Sequence, residues 1–109
     1  MSYNILATRR FEKEIKRLSK KFPSLRNEFF ALIELLNSNP ETGTSLGNNC
    51  YKIRMSIASK GKGKSGGARV LTYLYLEANT IYLLSIYDKS EKESISDKEI
   101  MEIIQTINL

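Results

Sequence analysis

Four cations and two tyrosines stand where they could work on a phosphodiester: Lys52, Arg54, Arg69 and Lys89, with Tyr73 and Tyr87 nearby. Tyr51, Ile53, Met55 and Ile57 alternate with Lys52, Arg54 and Ser56. That period of two is a strand with one face buried, so Lys52 and Arg54 project from the same side. Arg69 shares strand parity with Leu71 and Tyr73, and Tyr87 shares it with Lys89 if the last strand stays extended that far. On one sheet face the cations would neutralise phosphate, a forked arginine would stabilise the added charge of a pentacovalent phosphate, and a tyrosine would stack on a base or donate its hydroxyl. The competing reading is a sheet face whose cations are merely solvated, and the pattern alone divides the two evenly.

The chain has no histidine, which removes the commonest metal ligand and the one side chain that ordinarily titrates near neutrality. Acid–base work falls to Lys, Arg, Tyr, Asp or Glu. Cys50 is the single cysteine, so neither an internal disulfide nor a cysteine metal cluster can form, and it reads as a small half-buried residue before a strand. No cofactor is expected. Between two strands, Lys60, Lys62 and Lys64 alternate with glycines and lead into Ser65-Gly66-Gly67-Ala68-Arg69. Such a loop lets a phosphate backbone approach, although it lacks the GxxxxGK[ST] spacing of a P-loop because residue 67 is Gly. A solvated flexible loop is the plainer interpretation.

The elements that must position these groups follow from composition and periodicity. A chain of 109 residues, 41% hydrophobic, fits one domain over 1–109. The net charge of +5 is uneven: residues 39–76 hold six basic residues against Glu41, whereas residues 77–109 hold three basic and seven acidic. A polyanion is the natural partner of that middle third. Met1 to Thr8 does not read as a signal peptide, and no apolar run approaches the roughly 20 residues that span a bilayer, so a soluble, cytoplasmic protein without a membrane partner is expected.

Tyr3 to Ala7 predicts a short strand, and Thr8 an N-cap. Phe11, Ile15, Leu18 and Phe22 then recur at helical spacing within a highly basic helix that Pro23 interrupts. Ser24 caps a second helix with Leu25, Phe29, Leu32, Ile33 and Leu36 on its core face. The segment 37–49 predicts a loop. Strands follow at about 51–57, 68–76 and 80–87, and Ser96 with Glu99 has capping-box spacing before the Ile100, Ile103, Ile104 and Ile107 stripe of a last helix. The expectation is an α+β domain with helices on one face of a mainly antiparallel sheet.

Cys50-Tyr51-Lys52-Ile53-Arg54-Met55, Gly66-Gly67-Ala68-Arg69-Val70 and the run from Ile81 to Glu91 together resemble the RelE/ParE superfamily of type II toxins, over essentially the whole chain. The GKGKSGGAR and IYDKSE forms look closest to its HigB-like branch. The resemblance implies a RelE-like fold: N-terminal strand, helical hairpin, a three-stranded antiparallel segment completing one sheet, and a C-terminal helix. It also implies a ribosome-dependent mRNA endonuclease (mRNA interferase) neutralised by a cognate antitoxin, in which a 2′-hydroxyl attacks the adjacent phosphodiester without a metal and leaves a cyclic phosphate. By position, Lys52 and Arg54 match the family's basic strand pair, Arg69 its transition-state-stabilising arginine, and Lys89 its leaving-group acid or phosphate clamp. Lys52 is then the better general base, because arginine stays protonated.

One position departs from the family: its stacking tyrosine falls on Ile95, leaving Tyr87 or Tyr73 to supply the stack. The Lys60, Lys62 and Lys64 loop has no counterpart in the shorter RelE pattern and is expected to grip ribosomal RNA. Two alternatives stay open, a ParE-like gyrase inhibitor with no catalytic residues and a non-catalytic RNA-binding module.

Overall fold

Thr8 both ends the first strand and starts the first helix. In the computed structural model, which describes residues 3–60 and 66–107, β1 spans Asn4–Ala7 and α1 spans Arg9–Lys21. The Thr8 hydroxyl accepts from the Phe11 amide at 3.2 Å, the cap expected of it, and also lies 3.1 Å and 3.0 Å from the carbonyl oxygens of Leu83 and Leu84. A local cap thus ties the helix to a distant strand.

Helix α2 spans Leu25–Ser38 and buries Leu25, Leu32 and Leu36, while α1 buries Phe11 and Leu18. Ser24 occupies the N-cap position without capping: its hydroxyl donates to Glu28 at 3.1 Å and meets the Ser59 hydroxyl at 2.7 Å. It fastens the helical hairpin to the single helical turn Ala58–Lys60 instead.

The segment expected to be loop contains a strand, β2 (Thr44–Gly47), which pairs antiparallel with β3 (Cys50–Met55). Asn48 and Asn49 link them at φ 52° and 61°, the positive values a two-residue hairpin turn demands and asparagine tolerates. All four β2 residues are exposed, so no alternation marked it in the sequence. Strands β4 (Ala68–Tyr75) and β5 (Thr80–Asp88) follow, and α3 spans Asp97–Gln105 with the Ser96 hydroxyl capping the Glu99 amide at 3.2 Å. The sheet order is β1-β5-β4-β3-β2, with β1 parallel to β5 and the other pairs antiparallel.

Helices cover both faces of this sheet, not one. Ile53, Met55, Val70, Leu74, Leu83 and Ile86 pack under α1 and α2, whereas Cys50, Leu71, Leu84 and Tyr87 pack under Ile95, Ile100 and Ile103. The physical reason lies in β4 and β5, which are buried at successive positions and so need cover on each side. No helix among the described residues is long and apolar enough to cross a membrane.

Lys60, expected in an RNA-gripping loop, instead carries an ammonium that acts as an internal strut. Its side chain is only 8% exposed; Nζ lies 2.6 Å from Asp88, itself 1% exposed, 3.1 Å from the Ser90 hydroxyl, and 5.4 Å from the centre of the Phe22 ring. Asp88 also accepts from the Ser90 amide and hydroxyl at 3.0 Å and 2.8 Å. Burial alone would raise the Asp88 carboxyl, but the hydrogen bonds from Lys60 and Ser90 outweigh it and hold that carboxyl below its ordinary range. Lys62 and Lys64, the other two lysines of that expectation, lie outside the described residues.

Gly67 makes the approach to β4 possible. A Cβ there would collide with the Met55 carbonyl oxygen and stand 3.0 Å from the Ser56 Cα, both backbone atoms that cannot swing aside. Gly67→Ala should therefore lower stability by about 1–3 kcal/mol, seen as a reduced urea midpoint; an unshifted midpoint would show that the two strands are not held so close.

Lys60→Met should destabilise by about 3–5 kcal/mol, since it strands a buried carboxylate, and Lys60→Met with Asp88→Asn should recover part of the loss. With its folded pKa below the unfolded value, Asp88 contributes stability that is present above about pH 4 and disappears as pH falls through the folded value. The stability difference between wild type and Asp88→Asn, measured by urea unfolding from pH 6 to pH 2, should shrink toward the acid end. A difference that stays constant would show that the carboxylate does not carry the effect.

Candidate active site

The β3–β4–β5 register sets the site. Arg54 stands opposite Arg69, and Arg69 opposite Tyr87, so one residue from each strand forms a row across the sheet. Residues directly opposite in an antiparallel pair share a face with Cβ atoms about 4.5–5.5 Å apart, which brings the two guanidinium stems side by side. Lys52 lies two residues back from Arg54 on the same face. Lys89 follows the end of β5, and its amide donates to the Gly67 carbonyl at 3.0 Å, extending the ladder one step beyond Asp88. Lys52, Arg54 and Arg69 thus share one face across β3 and β4, whereas β5 ends at Asp88 and Lys89 lies in the turn that follows, where strand parity no longer sets the direction of its side chain.

Their environments differ. Arg54 is exposed and Lys52 and Lys89 are half-buried, with no ion pair to any of the three among the described residues. Arg69 is 3% exposed, and its Nη1 donates to the Ala68 carbonyl at 3.1 Å, which fixes the guanidinium against the backbone. Strand alternation turns Asp88 away from the Arg54–Arg69–Tyr87 row, toward Lys60 on the helical-hairpin side. A cross-strand pair of like charges is unfavourable by some tenths of a kcal/mol up to about 1 kcal/mol. An anion seated between the two arginines reverses that sign.

Tyr87 and Tyr73 do not present themselves as stacking platforms beside the row. The Tyr87 ring is 4% exposed and packs with Leu84 and Ile95, and its buried hydroxyl has no hydrogen-bond partner among the described residues. Burial pushes the phenol up and the nearby Arg69 charge only partly offsets this, so it stays protonated at neutral pH. Ile95, at the family's tyrosine slot, is one of the apolar residues of the cluster that encloses it. Tyr73 lies four residues along β4 from Arg69, beyond buried Leu71, and its ring stacks between Tyr75 and Tyr82 at 6.3 Å from each. By strand rise that is about 13 Å away.

Cys50 is 3% exposed, with burial raising its thiol, as suits a packing residue rather than a nucleophile. Sequence reasoning singled out the cations but missed two residues that place them, Gly67 and Asp88. The signal for Asp88 was available: a carboxylate closing the apolar run Ile81–Tyr87 must find a buried partner.

Comparison with known proteins bears on what this row belongs to. The family profile described as the RelE toxin of the RelE / RelB toxin-antitoxin system matches residues 4–107. Among solved structures, Escherichia coli toxin RelE, a double arginine-to-alanine mutant in the free state, is similar at TM-score 0.63 and 16% identity, covering 99% of this chain and 100% of that one. Isolated E. coli RelE in its P21 crystal form gives TM-score 0.62 and 17% identity over 97% and 100% of the two chains. The intact E. coli RelBE toxin-antitoxin complex matches at TM-score 0.60 and 19% identity, covering 80% of this chain and 96% of that one. At these identities the structures establish a shared fold, and the profile match over nearly the whole length establishes the kinship: this chain belongs to the RelE toxin family.

Proposed function

We propose that this toxin is a ribosome-dependent mRNA endonuclease that cleaves by 2′-hydroxyl attack on the adjacent phosphodiester, without a metal, and so blocks translation in the cytoplasm. The observation that carries the reading is the Arg54–Arg69 cross-strand pair, with Lys52 on the same face of β3 and Asp88 turned to the other face. Two opposed guanidinium groups on central strands are unfavourable in isolation and favourable around a phosphate, most of all one gaining charge in a pentacovalent transition state.

In this proposal exposed Arg54 holds the phosphate, and Arg69, buried and pinned by the Ala68 carbonyl, adds its positive charge from within the sheet face. Lys52 serves as the base that takes the 2′-hydroxyl proton or orients that oxygen, and Lys89 protonates or clamps the departing 5′-oxygen. The products are a 2′,3′-cyclic phosphate and a free 5′-hydroxyl, so the proton lost from the 2′-oxygen balances the one gained by the leaving group. Tyr87 supports Arg69 from within the apolar cluster, and the base is stacked by the ribosome's own nucleotides or, farther along the strand, by Tyr73.

The neutralising partner in this proposal is a cognate antitoxin, as RelB is in the E. coli RelBE complex. A ParE-like gyrase poison accounts less well for the same residues, because a protein-binding inhibitor does not need opposed arginines beside two lysines.

End-mapping of mRNA on translating ribosomes should show new 5′-hydroxyl ends with wild-type protein. Arg69→Ala should lower the cleavage rate by about 10²–10³-fold, the scale for removing one charge-stabilising donor, with Lys52→Ala and Lys89→Ala also impaired. Inhibition of gyrase supercoiling with intact mRNA would overturn the proposal.

A further inference from the structure

Beyond Asp88, where β5 ends, side-chain ties rather than the sheet direct the chain. The Lys89 amide makes the last rung to Gly67, and the chain then turns, with the Asp88 carbonyl accepting from the Glu91 and Lys92 amides, both at 3.0 Å. The Asp88 carboxylate holds the front of this turn through Lys60 and Ser90. Glu91 holds the back. Its two oxygens accept from both arms of the Arg17 guanidinium, Nη2 at 2.9 Å and Nη1 at 3.4 Å, and Lys21 Nζ reaches it at 3.3 Å. Arg17 and Lys21 are one turn apart on α1, so two cations converge on one carboxylate from a rigid element. The hydrogen bond from Arg17 holds the Glu91 carboxyl below its ordinary range, which keeps the tie charged at neutral pH. The Lys21 and Lys60 ammonium groups each lie 5.4 Å from the centre of the Phe22 ring, so one side chain links the front and back ties.

Of the four charged residues from 88 to 92, three are occupied in this way: Asp88 by Lys60, Glu91 by Arg17 and Lys21, and Lys92 by Glu99 at 3.8 Å. Lys89, between the two tied acids, has no ion pair among the described residues. It stands one step past the Ala68–Asp88 pair, opposite Gly67, so no cross-strand side chain crowds it. We propose that Glu91 is a positioning residue for Lys89: it anchors the turn to α1 and so fixes where the lysine ammonium meets the departing 5′-oxygen. The inference rests on the endonuclease reading above, in which the 2′-oxygen bonds to phosphorus, the P–O5′ bond breaks and Lys89 gives its proton to the 5′-oxygen. An exposed ion pair adds little to stability, whereas a fork engaged at both carboxylate oxygens and joined by a second cation restricts geometry. Placement, rather than stability, is what such a tie supplies.

The test is single-turnover cleavage, by the full chain on saturating ribosomes, of two messages: one natural, and one with sulfur in place of the bridging 5′-oxygen at the cut site. A thiolate leaves without a proton, so sulfur removes the need for an acid and leaves every other demand in place. Lys89→Ala should slow the natural message by about 10²–10⁴-fold, the range for a positioned general acid, and Glu91→Ala by about ten- to a hundredfold, the scale for misplacing a reacting group. Both should cut the sulfur message at close to the wild-type rate. Arg69→Ala should stay slow on both messages. Arg17→Gln, Lys21→Gln removes the same tie from its other side and should show the same recovery with sulfur, and both tie variants should keep their thermal midpoints because the pairs are exposed.

Glu91→Ala that cuts the natural message at the wild-type rate overturns the inference. So does Glu91→Ala that is equally slow on both messages, since loss of fold or of ribosome binding does not discriminate between oxygen and sulfur. In either case, recovery of Lys89→Ala with sulfur leaves the endonuclease reading standing. Lys89→Ala that is slow on both messages also overturns the inference, by removing the acid that Glu91 is held to place. A wild type that cuts neither message sinks the endonuclease reading and the inference with it.

Discussion

Strand β4 is enclosed on both faces, and yet its second residue is an arginine. The end of the sheet where β3, β4 and β5 meet is arranged around that constraint. A buried guanidinium cannot shed its proton, so it must be met by polar atoms and held still. The Ala68 carbonyl is one such partner, close behind it in sequence and fixed in the ladder. Gly67 lets the strand begin close against Met55 and Ser56, and Lys89 bonds back to Gly67, so both neighbours of the arginine's segment are anchored by the backbone. The arginine is thus held in place chiefly by the sheet.

The alternation of β5 divides the labour between faces. Tyr87 goes to the arginine row, Asp88 goes to the helical hairpin, and the strand then ends in a turn at Lys89. The carboxylate that would otherwise quench the cations is thereby used on the far side, where Lys60 and the Ser90 groups satisfy one of its oxygens. On α1 as well, cations are matched to acids from the C-terminal third: Arg10 to Glu99, and Arg17 and Lys21 to Glu91.

Much of this was readable from the sequence where local rules act. The α1 and α2 core positions, the Thr8 and Ser96 caps, and the parity of Lys52, Arg54 and Arg69 all follow from periodicity, which is a property of neighbours. What escaped depends on partners far along the chain. Strand β2 has no buried face to announce it and exists because β3 offers it an edge. Lys60 reads as a loop cation until Asp88, 28 residues on, is brought against it. Tyr87 looks like an available aromatic until Ile95 and α3 close over it. The second helical layer was hidden for the same reason: two strands buried at successive positions imply cover on each face, and only the sheet order makes them central.

The parallel pairing of β1 with β5 gives synthesis of this protein a built-in order. Thr8 must reach Leu83, 75 residues later, before the first strand has a neighbour, so the sheet closes last and only when most of the chain has been made. Until residue 88 has been made, Lys60 has no Asp88 to hold and Arg54 and Arg69 have no third strand beside them.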